Sequence, residues 1–156
     1  MTDKTPEVRP LAGNRRALHE YFVLDKFEAG IALLGTEVKA ARSGSIELRD
    51  AYVDFRNGEA FLVGARISPY SHGNRENHLP DRERKLLLSR REIDKLSGRV
   101  VAKGLTVVPL QVYLRGSRIK VEIALVQGKQ QHDKRESIRA KELDREARAA
   151  MSGRRR

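Results

Sequence analysis

Apolar and polar residues alternate over residues 21–29, and a period of two predicts a β-strand. With strict alternation one face of this strand would carry Tyr21, Val23, Asp25, Phe27 and Ala29, and the other face Phe22, Leu24, Lys26 and Glu28. Gly30 interrupts the run. A residue without a side chain inside a strand indicates a bend, a bulge or close approach of another backbone.

The pattern changes from strand to helix after residues 33–35. Thr36 is a suitable N-cap, and Glu37 falls in the first turn, where a negative charge is favourable. Apolar and polar residues then follow at helical spacing up to Arg42. The sequence therefore predicts a bent strand that leads directly into a short capped helix.

Two hairpins follow along the chain. Asn57-Gly58, between the apolar runs 46–56 and 61–67, is the strongest two-residue hairpin signal. Alternating runs at 105–114 and 119–126 flank the turn at 115–118 and predict the second hairpin.

Two helices are predicted between the hairpins. Pro80 can open one helix over residues 81–88. Ser89 and Glu92 have the spacing of a capping box and predict the start of the next helix. Its apolar stripe would consist of Ile93, Leu96, Val100 and Val101, with Gly104 just beyond its end.

These elements predict a mainly β fold with flanking helices, of the α+β class. The favoured architecture is an antiparallel β-barrel of about six strands, of the oligonucleotide-binding (OB) type, and a two-layer α+β sandwich is the alternative. Pro6, Pro10 and Gly13 indicate a flexible N-terminal arm over residues 1–13. The body would then span residues 14–128, and a basic tail residues 129–156.

Charge and composition narrow the possible partners. The 156-residue chain carries a net charge of +11, which favours nucleic acid or another anionic surface as partner. It contains no cysteine, which excludes disulfides and thiolate chemistry. No leader-like or membrane-spanning apolar run occurs, so we expect a soluble cytoplasmic protein without a membrane partner.

The tail has the composition of a helix with only a thin apolar stripe. No glycine or proline occurs from Asp133 until Gly153, and the stripe consists of Ala140, Leu143, Ala147, Ala150 and Met151. Because so narrow a face stabilises an isolated helix poorly, we expect the tail to be disordered when free and helical on a partner. The alternative interpretation is that the tail is only a solvated charged surface.

Residues with catalytic potential are few. His72 and His78, with Asp81 nearby, could hold a metal, although solvated loop histidines are more common. Glu28 and Glu37 could form the carboxylate pair of a nuclease, although a strand glutamate beside basic residues is more often an ion-pair partner or an acceptor for a nucleotide amino group. No nucleotide-binding, nucleophile or zinc motif is present.

An aromatic and basic cluster lies at the start of the first strand. Asn14, Arg15, Arg16 and His19 surround Tyr21, which could either pack in the core or stack on RNA bases. From the residues alone, the chain is predicted to be a nucleic-acid-binding module without a recognisable catalytic centre, with a tail ordered by its partner. Structured RNA is favoured over DNA as the ligand.

Several short motifs together resemble the SsrA-binding protein (SmpB) family of bacteria. They are Asn14-Arg15-Arg16-Ala17, His19-Glu20-Tyr21-Phe22, Phe27-Glu28-Ala29-Gly30, Gly35-Thr36-Glu37-Val38-Lys39, Arg84-Lys85-Leu86-Leu87-Leu88, Gly128-Lys129 and His132-Asp133-Lys134-Arg135. They follow the family's order and spacing from residue 14 to about 151. The resemblance also implies the OB-type barrel.

The resemblance implies a function in ribosome rescue. Such proteins bind the tRNA-like domain of transfer-messenger RNA (tmRNA) and accompany it into the empty A site of a stalled 70S ribosome, where trans-translation tags the nascent peptide for proteolysis. The protein replaces the anticodon arm that this RNA lacks. Elongation factor Tu and alanyl-tRNA synthetase would be indirect partners through tmRNA, and a monomer without cofactor or metal is implied.

The resemblance also assigns residues to these contacts. Those implied for tmRNA are Asn14, Arg15, Arg16, Tyr21, Glu28, Gly35, Thr36, Glu37, Lys39, Lys120, Gly128 and Lys129. His132 would stack in the small-subunit decoding centre, and Asp133, Lys134 and Arg135 would act in accommodation and tagging. Met151 would dock in the mRNA channel.

Three positions depart from the family pattern. Gln127 and Gln130 stand where relatives often carry lysine, which implies fewer phosphate contacts at the start of the tail. Ala150 replaces a larger apolar residue beside Met151, which weakens the expected docking of the tail tip.

Overall fold

The computed structural model describes residues 7–70, 77–101 and 105–129, together with Leu143 and Arg145. Its elements are β1 (Val8–Gly13), α1 (Arg15–Glu20), β2 (Tyr21–Ile31), α2 (Gly35–Arg42), β3 (Ile46–Glu47), β4 (Tyr52–Arg56), β5 (Glu59–Val63), β6 (Arg66–Ile67), β7 (Arg84–Leu87), α3 (Arg90–Val100), β8 (Leu105–Arg115) and β9 (Arg118–Gly128). None of these helices has the length and apolarity needed to cross a membrane.

Seven of the described strands form one antiparallel sheet in the order β1-β8-β9-β2-β7-β5-β4. The sheet curls so that β4 approaches β8, although no hydrogen-bonded ladder joins the two strands. Strands β3 and β6 pair separately. The prediction of a mainly β fold with flanking helices is confirmed, and the open, curled sheet is compatible with the OB type.

The curled sheet encloses the main hydrophobic core. Its fully buried side chains include Leu62, Leu86, Val112, Ile123 and Leu125. A second, smaller core lies on the opposite face of the sheet, where α1 packs against it; it consists of Ala17, Val108, Leu110, Ala124 and Val126. We call the face that carries this second core the outer face.

Both predicted hairpins are present. Asn57 and Gly58 have φ angles of 53° and 74°, as a two-residue type I′ turn between β4 and β5 requires. The first hairpin bends at Gly64, whose φ is 83° and whose missing Cβ would lie 2.9 Å from the carbonyl oxygen of Asp50. This bend separates the short β3–β6 pair from the main sheet.

The prediction of a flexible arm over residues 1–13 is wrong for Val8–Gly13. These residues form β1, which pairs with β8 at the edge of the sheet. Leu11 and Ala12 pack against the main core. The edge position explains why Pro10 is tolerated, since an edge strand can leave one side without ladder hydrogen bonds.

The predicted helix over residues 81–88 is also wrong, because Arg84–Leu87 form strand β7. Arg84 and Leu86 are buried whereas Lys85 and Leu87 are exposed, which is the period of a strand. β7 pairs with β5 on one side and with β2 on the other.

The helix after β7 begins as predicted. Ser89 Oγ accepts a hydrogen bond from the Glu92 N–H at 3.2 Å, and Glu92 Oε1 accepts one from the Ser89 N–H at 3.1 Å. Leu96 is fully buried, but Val101 is 86% exposed and does not belong to the stripe. Gly104 lies outside the described residues.

Candidate nucleic-acid interface

A bulge in β2 decides which candidate residues share a face. Val23 pairs with Val126 and Asp25 with Leu125, so Leu24 is an extra residue in the ladder. Val23 and Lys26 then face the same side, because their partners Val126 and Ala124 are two residues apart on β9.

Tyr21 and Glu28 consequently lie together on the outer face. The predicted alternation, which placed them on opposite faces, is wrong because the bulge shifts the pattern by one residue. Past the bulge, Asp25, Phe27 and Ala29 pair with alternate residues of β9 and face the core side. No local signal in the sequence marks Leu24 as the bulged position, and the expected irregularity was placed at Gly30.

Lys120 also belongs to the outer face. It lies opposite Gly30 of β2 and opposite Tyr113 of β8. Gly30 permits close approach, because a Cβ there would be 3.1 Å from the Cβ of Leu87. The structure therefore groups Tyr21, Glu28 and Lys120 on one surface.

Glu28 is held by two residues of β8. Arg115 Nη2 lies 2.9 Å from Glu28 Oε2, and the Tyr113 hydroxyl donates a hydrogen bond to the same oxygen. Burial and the hydrogen bond to Glu28 raise the pKa of Tyr113 to about 12. Tyr113 and Arg115 are not among the residues predicted for the site; the signal that the sequence offers for them is their i, i+2 spacing on the strand that pairs with β9.

Tyr21 packs against the second core with part of its side chain and is only half-buried, so stacking on RNA bases stays a prediction. The residue also lines a crevice of about 370 Å³ between α1 and residues 49–52. Arg16 borders this crevice and lies 2.9 Å from Glu20 and 3.5 Å from Asp50. Both Arg15 and Arg16 are exposed.

Asn14 has an internal role. Its side chain is the N-cap of α1, accepting from the Ala17 N–H at 3.2 Å. Its Nδ2 group donates to the carbonyl oxygens of Leu48 and Pro109. Asn14 is only 6% exposed, so these hydrogen bonds stabilise the fold, and its RNA contact stays a prediction.

Glu37 is buried as well, at 0% exposure. Its carboxylate lies 2.7 Å from Arg84 Nε, is bonded by Arg82 Nη2, and accepts the Leu34 N–H at 2.8 Å. Burial opposes ionisation of Glu37, but the hydrogen bonds from Arg82, Leu34 and Arg84 outweigh it and lower the pKa. Glu37 therefore has an internal structural role, and its RNA contact stays a prediction.

The start of α2 differs from the prediction by two residues. The helix begins at Gly35 with Leu34 as N-cap, because the Glu37 carboxylate bonds the Leu34 N–H. Thr36 is instead hydrogen-bonded to His78 Nδ1 at 2.9 Å. Gly35 and Lys39 are exposed, as an RNA contact requires.

The described residues considered for a metal or a nuclease site have other partners or lie apart from one another. His78 is 5% exposed, and its Nε2 group donates to the Ile67 carbonyl oxygen at 2.9 Å, so both ring nitrogens are occupied. His72 lies outside the described residues. Glu37 is enclosed by arginines and Glu28 lies on the outer face, and the described part of the chain holds no acidic or histidine cluster suited to a metal.

Lys129, the first residue of the predicted tail, lies at the end of β9 beside α1 and β2. It follows Gly128 and donates its N–H to the Glu20 carbonyl oxygen at 2.8 Å, and its Nζ lies 5.0 Å from the Phe22 ring centroid. The tail candidates His132, Asp133, Lys134, Arg135 and Met151 lie outside the described residues, as does the predicted tail disorder.

Known proteins are similar to this chain along most of its length. A family model described as "SmpB protein" matches residues 11–153. An SsrA-binding protein of Symbiobacterium thermophilum is 49% identical over 149 residues, covering 95% of this chain and 94% of the relative. An SsrA-binding protein of Syntrophobacter fumaroxidans is 51% identical over 140 residues, covering 90% and 87% respectively.

A solved structure is similar in fold as well as in sequence. It is described as "tmRNA-SmpB: a journey to the center of the bacterial ribosome" and aligns with a TM-score of 0.66 at 42% identity. The alignment covers 82% of this chain and 94% of the other.

Proposed function

Because this chain belongs to the SmpB family of SsrA-binding proteins, we propose that it binds the tRNA-like domain of tmRNA and delivers it to the A site of stalled ribosomes. The observation that carries this proposal is the likeness, at 42% identity, to a chain solved as tmRNA-SmpB. Trans-translation would then follow, with tagging of the nascent peptide and release of the ribosome.

The outer face supports RNA recognition by the body. Lys120 provides a cation for phosphate, and exposed Arg118 lies beside it on the same face. Glu28 cannot attract phosphate, so its carboxylate would instead accept a hydrogen bond from a nucleotide N–H group. A face that pairs a fixed acceptor with cations distinguishes one RNA surface from generic anionic polymers.

The anchored start of the tail at Lys129 supports a division of labour between body and tail. Lys129 is anchored to the body by a backbone hydrogen bond, so the tail starts from a fixed point beside Phe22. We infer that His132, Asp133, Lys134 and Arg135 act at the decoding centre, and that Met151 reaches the mRNA channel. A channel without mRNA would order a basic helix between its phosphates, and bound mRNA would exclude that helix.

The proposed function is non-enzymatic and cytoplasmic. Binding, positioning and occupancy sensing require no reacting group, and translating ribosomes are found in the cytoplasm. Incubating RNA with the purified protein and Mg²⁺ tests this point, because the RNA should stay intact.

A competition experiment tests the RNA specificity. Labelled tRNA-like domain is bound at physiological salt and challenged with unlabelled tRNA-like domain or bulk tRNA. The proposal predicts that bulk tRNA competes much more weakly. Equal competition would instead support a general tRNA- or ribosome-associated RNA-binding module.

A further inference from the structure

The Glu28 carboxylate on β2 contacts two side chains of β8, a strand that does not pair with β2. This geometry indicates a function for the two side chains. We propose that Tyr113 and Arg115 are positioning residues that fix one oxygen of Glu28 so that the other faces the RNA. The inference rests on the proposed function, in which Glu28 contacts tmRNA. Neither Tyr113 nor Arg115 belongs to a motif that carries the family resemblance.

The three side chains meet across an intervening strand. β2 pairs with β9, and β9 pairs with β8, so β2 and β8 are about 10 Å apart. Glu28 lies opposite Glu122, whereas Tyr113 lies opposite Lys120 two residues along β9. Glu28 therefore extends over β9 to reach Tyr113 and Arg115, and this extended position depends on the donors at its far end.

Both donors bind the same carboxylate oxygen. Oε2 accepts from the Tyr113 hydroxyl and lies 2.9 Å from Arg115 Nη2. Oε1 has no hydrogen-bond donor among residues 7–70, 77–101 and 105–129. The Glu28 side chain is 37% exposed, so this second oxygen can accept a donor from outside the protein.

Tyr113 is buried, at 5% exposure, whereas the Arg115 side chain is 39% exposed and lies beside the Tyr113 ring. The guanidinium carbon of Arg115 lies 5.8 Å from the centroid of that ring. Arg115 Nε is buried without a hydrogen-bond partner in the part of the chain that the structure describes. Since an unsatisfied buried donor costs free energy, a guanidinium kept in this place is expected to serve more than stability.

Fixing the carboxylate has a direct consequence for binding. A free glutamate would lose side-chain entropy when it accepts a hydrogen bond from RNA, and a side chain already fixed loses less. The ligand group that fits Oε1 is an N–H donor of an unpaired nucleotide, because a phosphate oxygen would be repelled. Removing the Tyr113 hydroxyl or the Arg115 guanidinium should therefore weaken RNA binding even though Glu28 itself is unchanged.

The test is a double-mutant cycle on affinity for the tRNA-like domain. Tyr113→Phe removes only a hydroxyl group, and Arg115→Gln removes the cation. Each should raise Kd by about three- to tenfold in the wild-type background. In a Glu28→Gln background each should have no further effect. Arg118→Gln is the matched control, because it removes a neighbouring cation and should act equally in both backgrounds.

A titration of tyrosinate absorbance gives a second, RNA-independent readout. The step that disappears in Tyr113→Phe belongs to Tyr113, and Glu28→Gln should shift that step to lower pH. Urea unfolding checks that each variant is folded. If Arg115→Gln does not fold, Arg115→Lys replaces it, and Tyr113→Phe still decides the question.

Two results would overturn the inference. One is an equal effect of Tyr113→Phe in both backgrounds, or none in the wild type. The other is a Tyr113 titration that Glu28→Gln leaves unchanged. A wild-type protein that binds bulk tRNA as well as the tRNA-like domain would refute the proposed function instead, and the cycle would then be measured with the RNA that does bind.

Discussion

Replacing Glu37 with glutamine should destabilise the body more than any exposed charge change. The carboxylate is fully buried between Arg84 and Arg82, and Arg84 is itself 0% exposed. The amide would leave the buried Arg84 guanidinium without its counter-charge. Breaking such a pair from one side costs about 3–5 kcal/mol, which is a large part of the stability of a domain of this size.

Urea unfolding followed by circular dichroism measures the effect. Glu59→Gln is the matched control, because Glu59 lies 3.2 Å from Lys85, the neighbour of Arg84 on β7, and both of these side chains are 47% exposed. An exposed pair of this kind contributes at most about 1 kcal/mol. Comparable losses of unfolding free energy in the two variants would refute the argument that burial sets the magnitude.

The pH dependence of the unfolding free energy tests independently whether Glu37 is ionised in the folded protein. The folded protein lowers the pKa of Glu37, so the ionised group contributes stability above the pKa of the unfolded chain, about 4.3. This contribution is lost as the pH falls through the lower folded pKa. The stability difference between wild type and Glu37→Gln should therefore shrink in acid. A difference that grew as the pH fell would contradict the assigned charge state.

Two further predictions concern the first hairpin and the tail. Gly64→Ala should destabilise the protein by about 1–3 kcal/mol in urea unfolding, since φ is 83° and the new Cβ would meet the Asp50 carbonyl oxygen at 2.9 Å. Gly98→Ala in α3 is the control, because nothing lies within 4 Å of the new Cβ, and it should stabilise the protein by about 0.5–1 kcal/mol. A Gly98→Ala variant less stable than Gly64→Ala would contradict this explanation. Asp133→Ala with Lys134→Ala should leave the affinity for the tRNA-like domain unchanged and abolish tagging in a translation assay with truncated mRNA; loss of both activities together would contradict the division between body and tail.

Local chemistry predicted those elements whose signals are complete within a few residues. The Asn57-Gly58 turn requires two positive φ angles, and few other dipeptides accept them. The box at Ser89 and Glu92 satisfies two backbone groups by itself. Such signals depend little on distant parts of the chain, and the structure agrees with them.

The local sequence does not predict strand β7, because residues that are distant in the sequence cause this segment to form a strand. Pro80 and the residues after it are compatible with a helix, but β5 and β2 leave a gap in the sheet that only a strand can fill. Burial of Arg84 in such a strand requires a counter-charge, and Glu37 is 47 residues away in the sequence. No pattern within one segment contains that information.

The roles of the candidate site residues also cannot be read from single segments of the sequence. A family motif shows that a set of residues belongs together, but not whether the reason is contact with RNA or stability of the fold. Glu37 of the 35–39 motif and Arg84 of the 84–88 motif are the two partners of one buried ion pair. Glu28, by contrast, extends across the outer face of the sheet.

The internal pair and the outer face are physically connected. The Glu37 carboxylate bonds the Leu34 N–H and so sets where α2 begins, which determines how Gly35 and Lys39 are presented to solvent. Arg84 fixes β7, whose Leu87 packs beside Gly30 close to Lys120. A residue buried in this network can therefore affect RNA binding without touching RNA, and a loss of affinity in a Glu37 variant would not by itself identify a contact. Measuring folding and binding on the same variants separates the two roles, since Glu37→Gln should lower both whereas Glu28→Gln should lower binding alone.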